Sequence, residues 1–412
     1  MDLALLDWLN LIGRWIHLIV GIAWIGSSFY FVWQDNSLEP TADDPDRKRL
    51  HGEIWMVHGG GFYHAKKYKV APPDLPAHLH WFKWEAYSTW MSGMALLAIV
   101  YYLSGPAIML PPGSGLGHAG AVAVGLGALA GGWIVYDLMC RSPLGRDDRW
   151  LAVGVVVFVT LLTWGLTQVL AGRAAFLHVG ATLGTIMVGN VFFVIIPNQR
   201  RMVDAMRRGE TPDPVLGLKG KQRSVHNTYF TLPVLFLMIS NHYPALYGHP
   251  YSWAVLLGVG AVGALVRHAF VLRHGGRMRG WMPPAAAAAM VAVMVATAAS
   301  RSLAPTPAVA AGGAGADADA ADTLGPVVLR IVEQRCTACH AAAPSFDGFD
   351  EAPKGIRLET LADLRQWSGP VIEQAVTGEA MPLGNVTDMQ PEERALLGRW
   401  LSSPAAAQGA AR

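Results

Sequence analysis

Residues 174–197 read AAFLHVGATLGTIMVGNVFFVIIP, 24 positions without one Asp, Glu, Lys or Arg. A helix rises about 1.5 Å per residue, so about 20 such residues cross a hydrocarbon core roughly 30 Å thick. Seven further apolar stretches flank this one, at 9–33, 85–104, 118–140, 150–171, 225–239, 251–272 and 281–303. The expected fold is therefore all-α, a polytopic membrane bundle of about eight transmembrane helices. Composition agrees: 52% of the 412 residues are hydrophobic and 15% charged, against about 25% charged in soluble domains. Net charge is only +2. The partner this implies is the lipid bilayer, and no nucleic-acid partner is expected.

The connecting loops orient the bundle. The first holds seven basic residues: Arg47, Lys48, Arg49, Lys66, Lys67, Lys69 and Lys83. The next has none, and the following five hold three, one (Arg173), seven, none and three. Alternating loops thus total 20 against 1. Basic loops stay on the cytoplasmic side, so both termini are expected in the periplasm, outside a bacterial inner membrane. The N-terminus MDLALLDWLN lacks a basic stretch, and the apolar run after it is long enough to remain in the bilayer, so no cleavable signal is expected.

Residues 1–303 are read as the membrane domain. Residues 304–322, rich in Ala, Gly and Asp, read as a flexible tether. Residues 323–403 read as a compact domain of class I-like cytochrome c type, and 404–412 as a frayed tail. The motif behind this assignment is Cys336-Thr337-Ala338-Cys339-His340. Two thiols so spaced can form thioethers to one heme c, with the next His as an axial iron ligand. Zinc or dithiol chemistry would need only CxxC. The adjacent His, the absence of a second CxxC and the outward location favour heme. Cys140, the third cysteine, stands alone. Met381, followed by Pro382, is the expected sixth ligand, since Met ligation raises the potential; Met389, just before a closing helix, is the competitor. Residues 327–334 and 391–401 suit helices that pack together, the latter through Leu396, Leu397 and Trp400.

Histidines inside the bilayer are costly and usually functional. His17 steps along its helix to Gly21, Trp24 and Ser28, and His178 to Thr182, Thr185 and Gly189. Both fall in the outer third of the membrane and are candidate ligands of a heme b, set against the plainer role of hydrogen-bonded histidines. Their segments echo each other, which suggests two four-helix halves. His58, His64, His80, His226 and His268 form a second group toward the cytoplasm. If substrate is oxidised there, electrons must cross roughly 30 Å to an outer heme, and an intermediate carrier is required.

Several stretches together resemble the bacterial membrane-bound urate hydroxylases, or cytochrome c urate oxidases. They are IGRWIHLIVGIAWIGSSFYF (12–31), HGGGFYHAKKYKVAP (58–72), GTIMVGNVFFVIIPNQRRMV (184–203), SVHNTYFTLPVLFLMISNHYP (224–244), CTACH (336–340), APKGIRLET (352–360) and MPLGNVTDMQPEERALLGRW (381–400). WIHLIVGIAWIG (15–26) also looks faintly like the first helix of heme-dependent protoporphyrinogen oxidases. The main resemblance implies oxidation of urate to 5-hydroxyisourate, with water as the oxygen source and a downstream cytochrome c or terminal oxidase as partner. By motif position, Cys336, Cys339, His340 and Met381 carry over as heme c residues. Catalytic residues do not carry over. A planar anion needs cationic or amide donors and a general base, and His226, Asn227 and Arg200, with Asn198, Gln199 and Thr228, bracket one cytoplasmic loop that offers both. For Arg200 and Arg201, topology-setting charge is the simpler role. A quinol- or porphyrinogen-oxidising cytochrome, a membrane-anchored electron-transfer subunit and a transporter are the alternatives.

Alkaline phosphatase fused after residue 403 should be active in intact cells and inactive when fused after residue 210. The reverse pattern would overturn the orientation.

Overall fold

In hydrocarbon a backbone must satisfy its own polar groups, and a single segment can do so only as a helix. The computed structural model describes residues 3–41, 48–103, 106–111, 114–303, 318–346, 351–377 and 380–401. It is mostly helical, and helices stand at all eight predicted places. In chain order these are α1 (Leu3–Asn36), α2 (Trp84–Leu97), a short α3 (Pro106–Met109), α4 (His118–Arg141), α5 (Asp148–Val169), α6 (Gly172–Gly189), α7 (Ile196–Arg207), α8 (Pro214–Ile239), a short α9 (Pro244–Tyr247), α10 (Ser252–His274) and α11 (Met282–Leu303). Among the described residues, six helices are long and apolar enough to cross a membrane: α1, α4, α5, the continuous α6–α7 rod, α10 and α11. Of the other two, α2 passes into a π-helix at Ala98–Tyr102, and α8 carries Lys219, Lys221 and Arg223 in its first half. The start of α8 lies eleven residues before the predicted span. Asp213 caps it, its Oδ1 accepting from the Val215 amide at 2.9 Å, and Pro214 supplies a ready-made first turn.

Helix α6 is the most enclosed. Its Gly, Ala and Thr residues let neighbours approach closely, the usual device of helix packing in lipid. A Cβ on Gly132 would sit 2.3 Å from Thr182 Cγ2, and one on Gly189 would sit 2.5 Å from the Trp133 ring. The core around it draws on Tyr101, Leu129, Tyr136, Phe176, Ile186, Leu237 and Leu256. Helix α1 is the opposite case. Trp8, Leu11, Trp15, Leu18 and Ile22 face outward, and its main neighbour is α2. The sequence echo between 9–33 and 174–197 therefore does not extend to packing: the second segment is largely enclosed and the first presents its large apolar side chains outward. One core joins α2, α4, α5, α6, α8 and α10 in place of two separate halves.

The all-α expectation needs one correction. Residues Leu50–His58 (β1) and Gly61–Tyr68 (β2) pair as an antiparallel hairpin. Its tip needs Gly59 (φ 59°) and Gly60 (φ 80°), a left-handed turn that glycine tolerates. The hairpin is tied to α1 by Tyr30 Oη to Met56 Sδ at 3.2 Å and by the Lys67–Asp35 ion pair.

The C-terminal unit comprises α12 (Ala318–Arg335), α13 (Thr337–His340), α14 (Leu361–Gln366), α15 (Ser368–Val371) and α16 (Pro391–Leu401). Helix α12 claims residues 318–322 of the expected tether, whose Ala content favours helix; 304–317, and the expected tail 404–412, lie outside the described residues. Val328, Ile331, Val332, Leu364, Leu397 and Trp400 form its core. The Leu383–Asn385 turn touches α3, and the π-helical Ile372–Thr377 touches α9.

Gly132→Leu should destabilise the protein by about 1–3 kcal/mol, the usual cost of overpacking, read as a lowered melting temperature in detergent. An unchanged melt would show that α4 and α6 do not pack as described.

Candidate functional site

Pro197 has no amide hydrogen to donate to the preceding turn, and the chain answers with a π-helix over Asn190–Ile195. That wider turn delivers Asn190 into a fully buried position between α4 and α8. Its Nδ2 donates to Asn227 Oδ1 (2.8 Å) and to Tyr136 Oη (3.1 Å). Its Oδ1 accepts from Arg223 Nη1 at 3.2 Å. Asn227 Nδ2 donates to the Met187 carbonyl at 3.0 Å. Arg223 also donates to Asp137 Oδ1 at 2.7 Å and lies over the Tyr136 ring. Asp137 takes a second cation, Arg141, at 2.7 Å. Tyr136 Oη lies 2.6 Å from His226 Nδ1. This contact occupies Nδ1 and leaves Nε2 as the ring nitrogen of His226 that is available to a ligand.

Two cavities flank α8. The first, about 810 Å³, lies between α1, the start of α2, α7 and α8, and is lined by Trp24, Ser28, His80, Glu85, Gln199, Asn227 and Thr228 among others. It opens at the end of the bundle that carries the basic loops. Among the described residues, Glu85 Oε2 is buried without a hydrogen-bond partner. The second, about 760 Å³, lies between α5, α8 and α10 and has His226 and Tyr229 on its wall. Consecutive helical residues point about 100° apart, so Asn227 faces the first cavity and His226 the second. Arg200 is exposed on α7 and joins neither wall. Among the described residues of the bundle, the buried arginines are Arg223, read from the sequence as loop charge, and Arg267. Arg267 is fully enclosed, stacks 3.6 Å from the Phe29 ring centroid, and among the described residues has no hydrogen-bond partner on any guanidinium nitrogen. Asn190, Glu85 and Tyr136 were equally unmarked; the Pro197 that forces the π turn was the one available signal for Asn190.

Neither cavity is lined by His17 or His178. His17 Nδ1 meets Ser92 Oγ at 3.0 Å, and its ring covers Gly93. His178 is fully buried, with Nδ1 on the Ala174 carbonyl at 2.7 Å and Nε2 on Tyr102 Oη at 3.2 Å. A Cβ on Gly125 would lie 2.5 Å from that Nε2. Both nitrogens are engaged and the surroundings are closed, so this packing does not fit a heme b at His178. His64 is likewise engaged by Glu53 at 2.8 Å, and His268 by Tyr229 at 2.7 Å.

The C-terminal unit is different. Cys336 precedes the single turn α13, and Cys339 and His340 lie on it, with both thiols free. His340 Nδ1 lies 2.8 Å from the Ile356 carbonyl, so it is the protonated nitrogen and Nε2 is left as a lone-pair donor. Metal-bound histidines are held in this way by their other nitrogen. Burial pushes the Cys336 thiol up to about 12 and raises Cys339 too, the opposite of the low values of reactive dithiols. Met389 is buried in the core, with its amide held by Asn385 Oδ1 at 2.9 Å, whereas Met381 is 36% exposed. The two unbridged thiols and the unengaged Nε2 of His340 fit a covalent heme, which Cys336, Cys339 and His340 would hold, with the exposed Met381 as the candidate for a further ligand. Among the described residues, no cluster of three or more His, Cys, Asp or Glu is placed to hold a metal ion.

A helical bundle with membrane-length apolar helices and a buried amide–tyrosine–histidine network defines a membrane protein with the makings of an enzyme. The chain belongs to the Urate oxidase N-terminal family, whose model matches residues 3–298. That membership points to an oxidoreductase acting on urate, and the match ends before the C-terminal unit. No curated protein and no solved structure matches the chain.

Arg223→Ala should cost about 1–3 kcal/mol: Asp137 loses its pair with Arg223 and keeps only the exposed Arg141, and Asn190 Oδ1 is left buried without that donor. The check is thermal unfolding; a loss below about 1 kcal/mol would mean that water reaches the pair.

Proposed function

We propose that the chain oxidises urate to 5-hydroxyisourate and passes the electrons to a c-type heme on its C-terminal unit. The family match over residues 3–298 carries the substrate assignment. The first cavity supports it chemically. Urate is a planar anion with amide-like edges, and this cavity pairs the aromatic walls Trp24, Phe31 and Trp81 with hydrogen-bonding groups on Gln199, Asn227 and Thr228. Lys221 on the same lining supplies positive charge, while Lys67 there is paired with Asp35.

The reaction balances as urate plus water giving 5-hydroxyisourate, two electrons and two protons. Water adds to C5 as electrons leave the ring, so a proton acceptor beside the substrate accelerates the step. Glu85, with its buried unpartnered Oε2, takes that role. His226, expected as the base, faces the other cavity. Asn227 is fixed by Asn190 and the Met187 carbonyl and orients the substrate edge without reorganising. When bound through Cys336, Cys339, His340 and Met381, heme c supplies one-electron acceptance at raised potential.

The loop charges orient the same proposal. Eight spans, with α2 and α8 added to the six apolar helices, put the first cavity on the cytoplasmic side and the heme unit in the periplasm, where a soluble cytochrome c or terminal oxidase takes over the electrons. A pure anchor would need one span and no polar cavity.

Urate added anaerobically should bleach the oxidised heme c spectrum, and ¹⁸O from labelled water should appear in the product. Glu85→Gln should slow urate-dependent reduction by about 10²-fold or more, at the low end of general-base effects, with the heme spectrum intact. Label arriving from O₂, or unaltered rates in that variant, would overturn the mechanism.

A further inference from the structure

We infer that the second cavity is a binding site for an isoprenoid quinone, with its carbonyl on His226 Nε2. The cavity is amphipathic along its length. Leu183, Leu237, Leu256 and Ala264 form an apolar body, while Asp148, Gln222, His226 and Tyr229 gather at one end. Val156 on its rim is 65% exposed on an apolar helix face, so the opening is toward lipid. Pro233 on α8, and Gly260, Ala261 and Ala264 on α10, leave the cleft unfilled.

His226 supplies the recognition. Its Nδ1 is occupied by Tyr136, so Nε2 has no protein partner among the described residues, and it is a donor in the tautomer whose Nδ1 accepts from Tyr136. A donor on the wall of a lipid-facing cleft selects a ligand that is apolar overall and carries a carbonyl at one end. A quinone head meets that description. A phospholipid places its polar head farther out, at the interface where Lys221 and Asp148 stand.

The position also answers the transport of electrons. His226 and Asn227 are neighbours in sequence, and Tyr229 lines both cavities, so the two ligands are separated by the width of one helix, about 10 Å. Urate, water and quinone would yield 5-hydroxyisourate and quinol, with two electrons and two protons passing from one to the other. A lipid-soluble carrier then joins the inner cavity to the outer heme without a heme b at His178. This redox role rests on the urate proposal; the binding site does not.

The test uses the full-length holoprotein in quinone-free phospholipid nanodiscs titrated with decylubiquinone. Saturable one-to-one binding is expected, weakened roughly tenfold by His226→Leu through loss of one hydrogen bond, and at least as much by Ala264→Phe, which fills the cleft and keeps the donor. An unchanged heme c spectrum and melting temperature would certify folding. Non-saturable uptake, or binding indifferent to both variants, would show that the cleft holds annular phospholipid only and would overturn the site. Urate consumption with ferricyanide separates the two proposals. Urate oxidation without quinone binding removes the quinone site alone, and quinone binding without urate oxidation by any acceptor removes the urate proposal alone.

Discussion

Asn190 is the point on which the interior of this bundle depends. A carboxamide enclosed in a membrane protein must satisfy both its donor and its acceptor, because nothing else there can. Here one side chain bonds Tyr136 on α4 and both Asn227 and Arg223 on α8. Those bonds set the rotation of α8 about its axis, and that rotation decides which residues face which cavity. The π turn that places Asn190 is itself a consequence of Pro197. A local backbone defect thus becomes a fixed relation among three helices.

The same rotation separates polar functions that the sequence lists side by side. Asn227 and His226 are adjacent, yet one belongs to a polar cavity with Glu85 and the other to an apolar cleft open to lipid. Arg223 is held between them by Asp137 and by the face of Tyr136. A buried guanidinium so compensated polarises the hydrogen bonds around it.

The C-terminal unit obeys a different economy. It has its own apolar core, made by α12 against α16, and a histidine whose Nδ1 is anchored to backbone. Its contacts with the bundle fall on α3 and α9, both in loops poor in basic residues. The unit therefore sits at the end of the bundle opposite the polar cavity.

The sequence by itself determined the membrane character, the helix positions and the CxxCH unit, because apolar length, loop charge and covalent-motif spacing are local properties. It also named Asn227 and His226 as polar residues near one end of a span. Tertiary structure alone decided their roles, since the cavity a side chain faces depends on helix rotation. Rotation is set by long-range contacts such as Asn190–Asn227 that leave no periodic trace. Arg223 and Glu85 were invisible for a related reason: a charged residue near a helix end looks the same in a string of letters whether it sets topology or is buried against a partner, and only packing distinguishes them. His178 shows the converse. Its place inside an apolar run was legible, but the close approach of Gly125 and Tyr102, which closes off its Nε2, exists only once α4, α6 and the π turn after α2 are assembled.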